Sequence, residues 1–386
     1  MPAIDKHAAV LKALLGLKPD PVEKVWVLAR LNNPELLGGA SRATAYVFLP
    51  DLHLVSRAAA ARYKYGFTKM GDGSTVAREE LLEQLCRSLL KVRRRLGGLR
   101  KLVTVQLGDF LDLWREDHLD GQDVQSMVRT ILHDHPVAQN RLVAQGAGSL
   151  SPRILAGNHE KWGADGTFAS IALARARLAH LLPVASRRSV LATHGDLFDP
   201  LERLVPDRIQ SWLVRRFSTL AAMNTYDADR GAGGAEPGGL GGYEGGPPRE
   251  LTDLDQGNAL PDWINVWQTR AGVADGELKN SHELLPLALK SAAGLRAGRA
   301  GSLREMGLDN HGPLTDLRTI VVGHSHIPRL CVHLDGTRPE RNLVLADCGA
   351  WIEAVRIGGR EVPSCQLGVL CGGDLRIYQL DMTRPA

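Results

Sequence analysis

The sequence predicts a layered α/β sandwich. Three observations carry that reading. Short apolar, β-branched runs recur along the chain. Helix-period patterns separate the early runs, while the last runs follow one another with no helix between them. Elements alternating in this way build stacked layers around a sheet.

The runs, in order, are Ala43–Leu49, Leu102–Leu107, Arg153–Ala156, Val190–Thr193, Thr319–Val322 and Asn342–Ala346. Two more, Gln366–Leu370 and Leu375–Leu380, flank Cys371-Gly372-Gly373-Asp374 and read as a hairpin. Among the helical patterns, Glu79–Leu96 places Leu81, Leu82, Leu85, Cys86, Leu89 and Leu90 on one face. Arg93, Arg94 and Arg95 close its last turn, where cations suit the helix dipole. Asp123–Gln145 and Thr167–Leu182 read as further helices.

Residues 1–40 read as a helical N-terminal extension, and 41–198 with 319–386 as the core. The interval 199–318 reads as a helical cap insertion without a convincing strand. Within it, the Gly/Pro-rich run 231–248 reads as a flexible loop.

Composition narrows the classes. The 386 residues are 44% hydrophobic, enough for a large core. A net charge of +4 tolerates an anionic substrate or an acidic membrane surface, but falls short of a nucleic-acid footprint. The five cysteines form no CxxC pair, so reduced structural thiols and a cytoplasmic location are expected. The N-terminus does not resemble a signal peptide, and no apolar run is long enough to span a bilayer.

Five polar blocks each follow an apolar strand. They are Asp51-Leu52-His53, Gly108-Asp109-Phe110-Leu111-Asp112, Gly157-Asn158-His159-Glu160, His194-Gly195-Asp196 and Gly323-His324-Ser325-His326. The carboxyl ends of strands are where α/β sheets place their ligands. Carboxylate, imidazole and amide oxygen, with no thiolate, suit hard or borderline metals. Two ions about 3.5–4 Å apart can clamp a phosphate and lower the pKa of bound water toward roughly 7. Asp109 is the natural carboxylate to bridge them. One such block is weak evidence; five in the same strand-then-loop setting are not.

The set DxH, GDxxD, GNHE, HGD and GHSH resembles the calcineurin-like metallophosphoesterase superfamily in order and residue type, from residue 51 to 326. The resemblance implies a four-layer α/β/β/α sandwich with two divalent or trivalent ions, among Mn, Fe, Zn or Co. It implies Asp51, His53, Asp109 and His326 on one ion, and Asp109, Asn158, His194 and His324 on the other. It also implies that His159 contacts substrate as proton donor and that Asp112 orients it. The expected activity is hydrolysis of a phosphate ester or diester.

Phe110-Leu111-Asp112-Leu113-Trp114, the HGD block and the insertion also resemble UDP-2,3-diacylglucosamine hydrolases, whose insertion receives acyl chains at the membrane. That resemblance implies a lipid-linked pyrophosphate substrate and peripheral membrane contact. On Arg208–Ala221, Ile209, Trp212, Leu213, Phe217 and Leu220 form an apolar arc that includes Arg216. A helix packed on the core is the commoner reading of such an arc. His159 departs from the Arg often found there in the lipid enzymes. Arg57, Arg115, Trp212 and Arg216 are the candidate substrate contacts. Some members of the superfamily are non-catalytic scaffolds, but these lose ligands or the catalytic His, and this chain keeps both.

Overall fold

The computed structural model describes residues 25–34, 36–37, 44–62, 78–96, 102–116, 123–163, 179–184, 187–199, 249–250, 264–269, 284–326, 328–335, 337–352, 355–357, 360–362 and 365–380. Its strands are β1 (Val25–Asn32), β2 (Ala45–Leu49), β3 (Leu102–Gln106), β4 (Arg153–Ile154), β5 (Ala179–Val184), β6 (Arg187–Thr193), β7 (Arg249–Glu250) and β8 (Ile264–Thr269). They continue with β9 (Thr319–Val322), β10 (Arg329–Asp335), β11 (Leu343–Asp347), β12 (Val355–Ile357), β13 (Arg360–Val362), β14 (Gln366–Cys371) and β15 (Asp374–Leu380). The α-helices are α1 (Arg57–Arg62), α2 (Arg78–Leu96), α3 (Leu113–Glu116), α4 (Val124–Asp134), α5 (Leu285–Arg296) and α6 (Ala300–Glu305).

Two mixed sheets face each other. The first runs β4-β3-β2-β14-β15-β1-β7 and the second β5-β6-β9-β11-β10-β8. Within the first, β2, β3 and β4 are parallel neighbours. Within the second, β6, β9 and β11 are parallel neighbours.

Strand alternation decides the layers. Phe48, Val105 and Leu107 turn inward and meet Val190, Val321, Leu330 and Val344 of the second sheet. Val47 and Leu49 turn outward against Leu82, Leu85 and Leu89 of α2 and Val128 and Ile131 of α4. Ile320, Val322 and Leu345 turn to the other outside, against Leu285, Ala288, Ala292 and Leu295 of α5 and Leu303 of α6. The result is a four-layer α/β/β/α sandwich, the fold class that the sequence implies.

Several expectations change. Residues 25–32 are a strand, paired antiparallel with β15, so the core begins well before residue 41. Residues 1–24 lie outside the described residues. The interval 199–318 is not a purely helical cap. Its β8 pairs in parallel with β10, and α5 and α6 form the outer layer over the second sheet. Residues 201–248, and with them the Gly/Pro run, lie outside the described residues. The stretch 179–184, read as the end of a helix, is an edge strand with a bulge between Leu182 and Val184. The intervening Pro183 lacks the N–H that an inner strand would need. The helix expected over 123–145 ends at Asp134, because Pro136 disfavours helical backbone at His135; a single π-helical turn follows over Ala138–Val143.

A buried polar link ties the terminal hairpin to the first block. Trp351 donates its indole N–H to the Gln366 carbonyl at 2.7 Å and its backbone N–H to the Asp51 carbonyl at 2.8 Å. Gln366 accepts from the Ala350 N–H and donates to Gln379. Trp351→Phe should therefore remove the indole hydrogen bond and lower stability by about 1–3 kcal/mol, measured by denaturant unfolding.

Candidate metal centre

The two parallel strand triplets aim their carboxyl ends at one place. Blocks one, two and three follow β2, β3 and β4; blocks four and five follow β6 and β9. Backbone hydrogen bonds stitch the loops together. Leu52 and His53 both donate to the Asp109 carbonyl, at 3.1 and 2.8 Å, and Gly323 donates to the His194 carbonyl at 3.0 Å. An isolated bridge joins Asp51 to Ala350 across the two sheets.

The seven residues expected to hold metal converge. His53 Nε2 and His326 Nε2 face each other at 3.0 Å. Asp51 Oδ2 lies 3.2 Å from His326 Nε2 and accepts the His324 N–H at 2.8 Å. On the other side, His194 Nε2 lies 2.9 Å from Asn158 Oδ1 and 3.1 Å from His324 Nδ1. Between the two groups, Asp109 Oδ2 is 3.5 Å from His53 Nε2 and 3.4 Å from His194 Nε2.

This donor set fits cations. Facing imidazole nitrogens gain little from each other, because each offers a lone pair once its other nitrogen holds the proton. His194 Nδ1 faces the Leu107 carbonyl at 3.1 Å, which leaves Nε2 for the centre. Asp51 Oδ1 is buried and has no hydrogen-bond partner. A buried carboxylate oxygen in that state calls for a cation. Asp51, His53 and His326 bring one ligand atom each within 4.8 Å of one another, and so do Asp51, Asp109 and His194.

Electrostatics follow from burial. Loss of solvent pushes the His53 pKa well down, and that of His326 down as well, although 29% of the His326 side chain stays exposed. Burial thus favours the uncharged form of both rings, the form that can donate a lone pair. Burial raises Asp51 to about 6, with nearby His194 opposing and Asp109 adding to the rise. Burial also lifts Asp109, but His194, His159 and His53 overcome it and hold the carboxyl well below its usual range.

His159 sits at the rim, with 9% of its side chain exposed. Its Nδ1 meets Asp112 Oδ1 at 2.8 Å, and Asp112 Oδ2 meets His53 Nδ1 at 3.3 Å. One buried carboxylate thus orients two rings. Trp114 stacks on His159 with centroids 4.0 Å apart.

Four supporting residues carried no role in the sequence reading. Glu160 accepts N–H bonds from Gly157 and Leu111, both at 2.8 Å, and so clamps block three to block two. Asp347 accepts from the Ser325 hydroxyl at 2.6 Å and steadies block five. Asp199 meets His324 Nε2 at 3.1 Å. His135 bonds to the Val55 carbonyl at 2.8 Å and to Glu79 at 3.0 Å, bracing the chain just past block one. Asp347 ends an apolar strand as the five blocks do, and that was its sequence signal.

Of the four expected substrate contacts, only Arg57 has its side chain among the described residues. Arg57 is exposed and lies 3.8 Å from Asp134. Arg115 falls in α3, with its side chain outside the described residues, as are Trp212 and Arg216 altogether. All five cysteines are buried thiols. Among the described residues no helix is long and apolar enough to cross a membrane.

No family model and no curated protein matches the chain. A solved structure of a dimetal phosphatase from Danio rerio shares 14% identity over 89% of this chain and 100% of its own, at a TM-score of 0.34. So loose an overlap carries neither fold nor chemistry across.

Two glycines guard the centre by lacking a Cβ. A Cβ on Gly157 would lie 2.0 Å from Asp109 Oδ1, and one on Gly323 would lie 2.1 Å from Asp51 Oδ1. Gly323→Ala is therefore expected to fold but to bind less metal, and Gly157→Ala, whose Cβ would also lie 2.5 Å from the Asp109 backbone nitrogen, to bind less metal and to lose stability as well. Elemental analysis beside circular dichroism checks this; full metal content in both variants would contradict it.

Proposed function

We propose that the chain hydrolyses phosphate esters or diesters with the help of two divalent or trivalent metal ions. The observation that carries this is Asp109 Oδ2, nearly equidistant from His53 Nε2 at 3.5 Å and His194 Nε2 at 3.4 Å. A carboxylate oxygen so placed suits a bridge between two cations. Asp51, His53, Asp109 and His326 would hold one ion, and Asp109, Asn158, His194 and His324 the other. When bound, such a pair supplies positive charge for phosphoryl oxygens and acidifies water at neutral pH. Mixed nitrogen and oxygen donors discriminate poorly among Mn, Fe, Zn and Co.

The remaining work falls to the chain itself. Asp112 accepts the Nδ1 proton of His159, which leaves Nε2 as the atom that holds a proton for the leaving oxygen. Trp114 covers one face of that ring and restricts its swing. The presence of His159 together with the whole donor set favours a hydrolase over a non-catalytic scaffold. A phosphorylated small molecule is the substrate class; the lipid-linked alternative rests on the likeness of Phe110–Trp114, the HGD block and the insertion, and its candidate contacts Trp212 and Arg216 lie outside the described residues.

Metal-replete protein should hold two ions per chain by elemental analysis, and a single ion would sink the reading. His159→Ala should keep both ions while kcat on phosphomonoesters or phosphodiesters falls by roughly 10²–10⁴. Loss of metal in that variant would mean that His159 is a ligand instead. Asp112→Asn should do both things in part, lowering kcat and loosening one ion, because Asp112 touches His53 as well as His159.

A further inference from the structure

We infer that Asp199 sets the tautomer of His324, so that His324 presents Nδ1 to the metal centre while His53, His194 and His326 present Nε2. The inference rests on the dinuclear reading and names a positioning residue within it.

The geometry is specific. Asp199 Oδ2 lies 3.1 Å from His324 Nε2. An ionised carboxylate only accepts, so Nε2 must carry the proton. The lone pair is then on Nδ1, and Nδ1 is the atom that faces His194 Nε2 at 3.1 Å. The other rings are wired the opposite way. His53 Nδ1 faces Asp112 at 3.3 Å and His194 Nδ1 faces the Leu107 carbonyl at 3.1 Å, which leaves Nε2 inward in both. His326 Nε2 faces Asp51 at 3.2 Å and His53 at 3.0 Å.

His324 shares its left-handed backbone with His53 and His326, which turn Nε2 inward, so Asp199 on Nε2 is what sets it apart. His324 has φ +71, a left-handed backbone that a non-glycine residue adopts only under constraint. Its own N–H is held by Asp51 Oδ2 at 2.8 Å. Nδ1 of this ring reaches inward and Nε2 points away. Asp199 stands where Nε2 points. It directly follows the short 3₁₀ turn Asp196–Phe198, which leads out of block four, and its N–H donates to the Asp196 carbonyl at 3.1 Å. Block four therefore supplies both a ligand, His194, and the group that orients a ligand from block five. Partners of this kind typically govern metal affinity by roughly 10–100-fold.

The test uses the full chain, stripped by chelator and titrated with Zn²⁺ by calorimetry. Wild type should bind two ions. Asp199→Ala should weaken one of them by roughly 10–100-fold and leave the other nearly unchanged. Asp199→Asn should recover much of the loss, because its amide oxygen still accepts the Nε2 proton. Nitrogen NMR of the Zn²⁺-loaded wild type, with isotope-labelled histidine, should show His324 alone protonated at Nε2 and metal-shifted at Nδ1. Equal affinities in wild type and Asp199→Ala, or a metal-shifted Nε2 on His324, would overturn the inference and leave the dinuclear reading standing. Fewer than two ions on wild type would overturn the dinuclear reading itself. Should Asp199→Ala fail to fold, the wild-type NMR assignment still decides the tautomer.

Discussion

Asp51 and Asp109 lie side by side below the surface, where they repel one another and have lost their water. Asp51 is fully buried and Asp109 nearly so, at 2% exposure. Keeping either ionised there costs several kcal/mol unless positive charge or donors surround it. The surroundings supply both. The His324 N–H meets Asp51, the His159 N–H meets Asp109 at 3.1 Å, and four imidazoles line the remaining side. These contacts come from both sheets, so the charge problem is solved only when the sheets are packed face to face. The sandwich is thus a precondition of the centre.

The same demand shows in the backbone. Among the described residues, six non-glycine positions have left-handed φ, and four of them are His53, Asp109, His324 and His326. Each such residue costs of order 1–3 kcal/mol and persists only where its surroundings over-determine it. Here the over-determination is visible. His53 donates its N–H to the Asp109 carbonyl, and His324 is pinned by Asp51. The strands must stop abruptly for their last residues to turn inward rather than alternate. Left-handed backbone two to four residues past the strand end is how they do it.

Most of the centre was legible in the sequence because it is local. Each block is a few residues long and sits just after an apolar run, and both features are readable without knowing the fold. The strands behind the blocks were legible for the same reason: Thr319–Val322 is β-branched throughout and buried throughout. What escaped was non-local. β1 earned no strand reading because its pairing with β15 joins the two ends of the chain. β8 contains Asn265 and Gln268, and only its place beside β10 makes it a strand. Asp199 and Glu160 escaped because their roles depend on which nitrogen or N–H a neighbouring loop presents. The basic candidates Arg57 and Arg115 were chosen by nearness in sequence to the blocks; Arg57 starts a local helix beside Asp134.

The spacing of the blocks has a thermodynamic consequence. The donors span residues 51 to 326, and the second group cannot form until β9 has joined β6 and block five has reached Asp51. Such long-range closure comes late in folding, because its loop entropy must be overcome before any contact repays it. A cation that needs donors from both sheets binds the complete sandwich and little else. By mass action it then stabilises that state over every partly assembled one. The two sheets need not be held together by their apolar interface alone: a bound cation would turn the buried carboxylates, which taken singly oppose folding, into a crosslink between the layers.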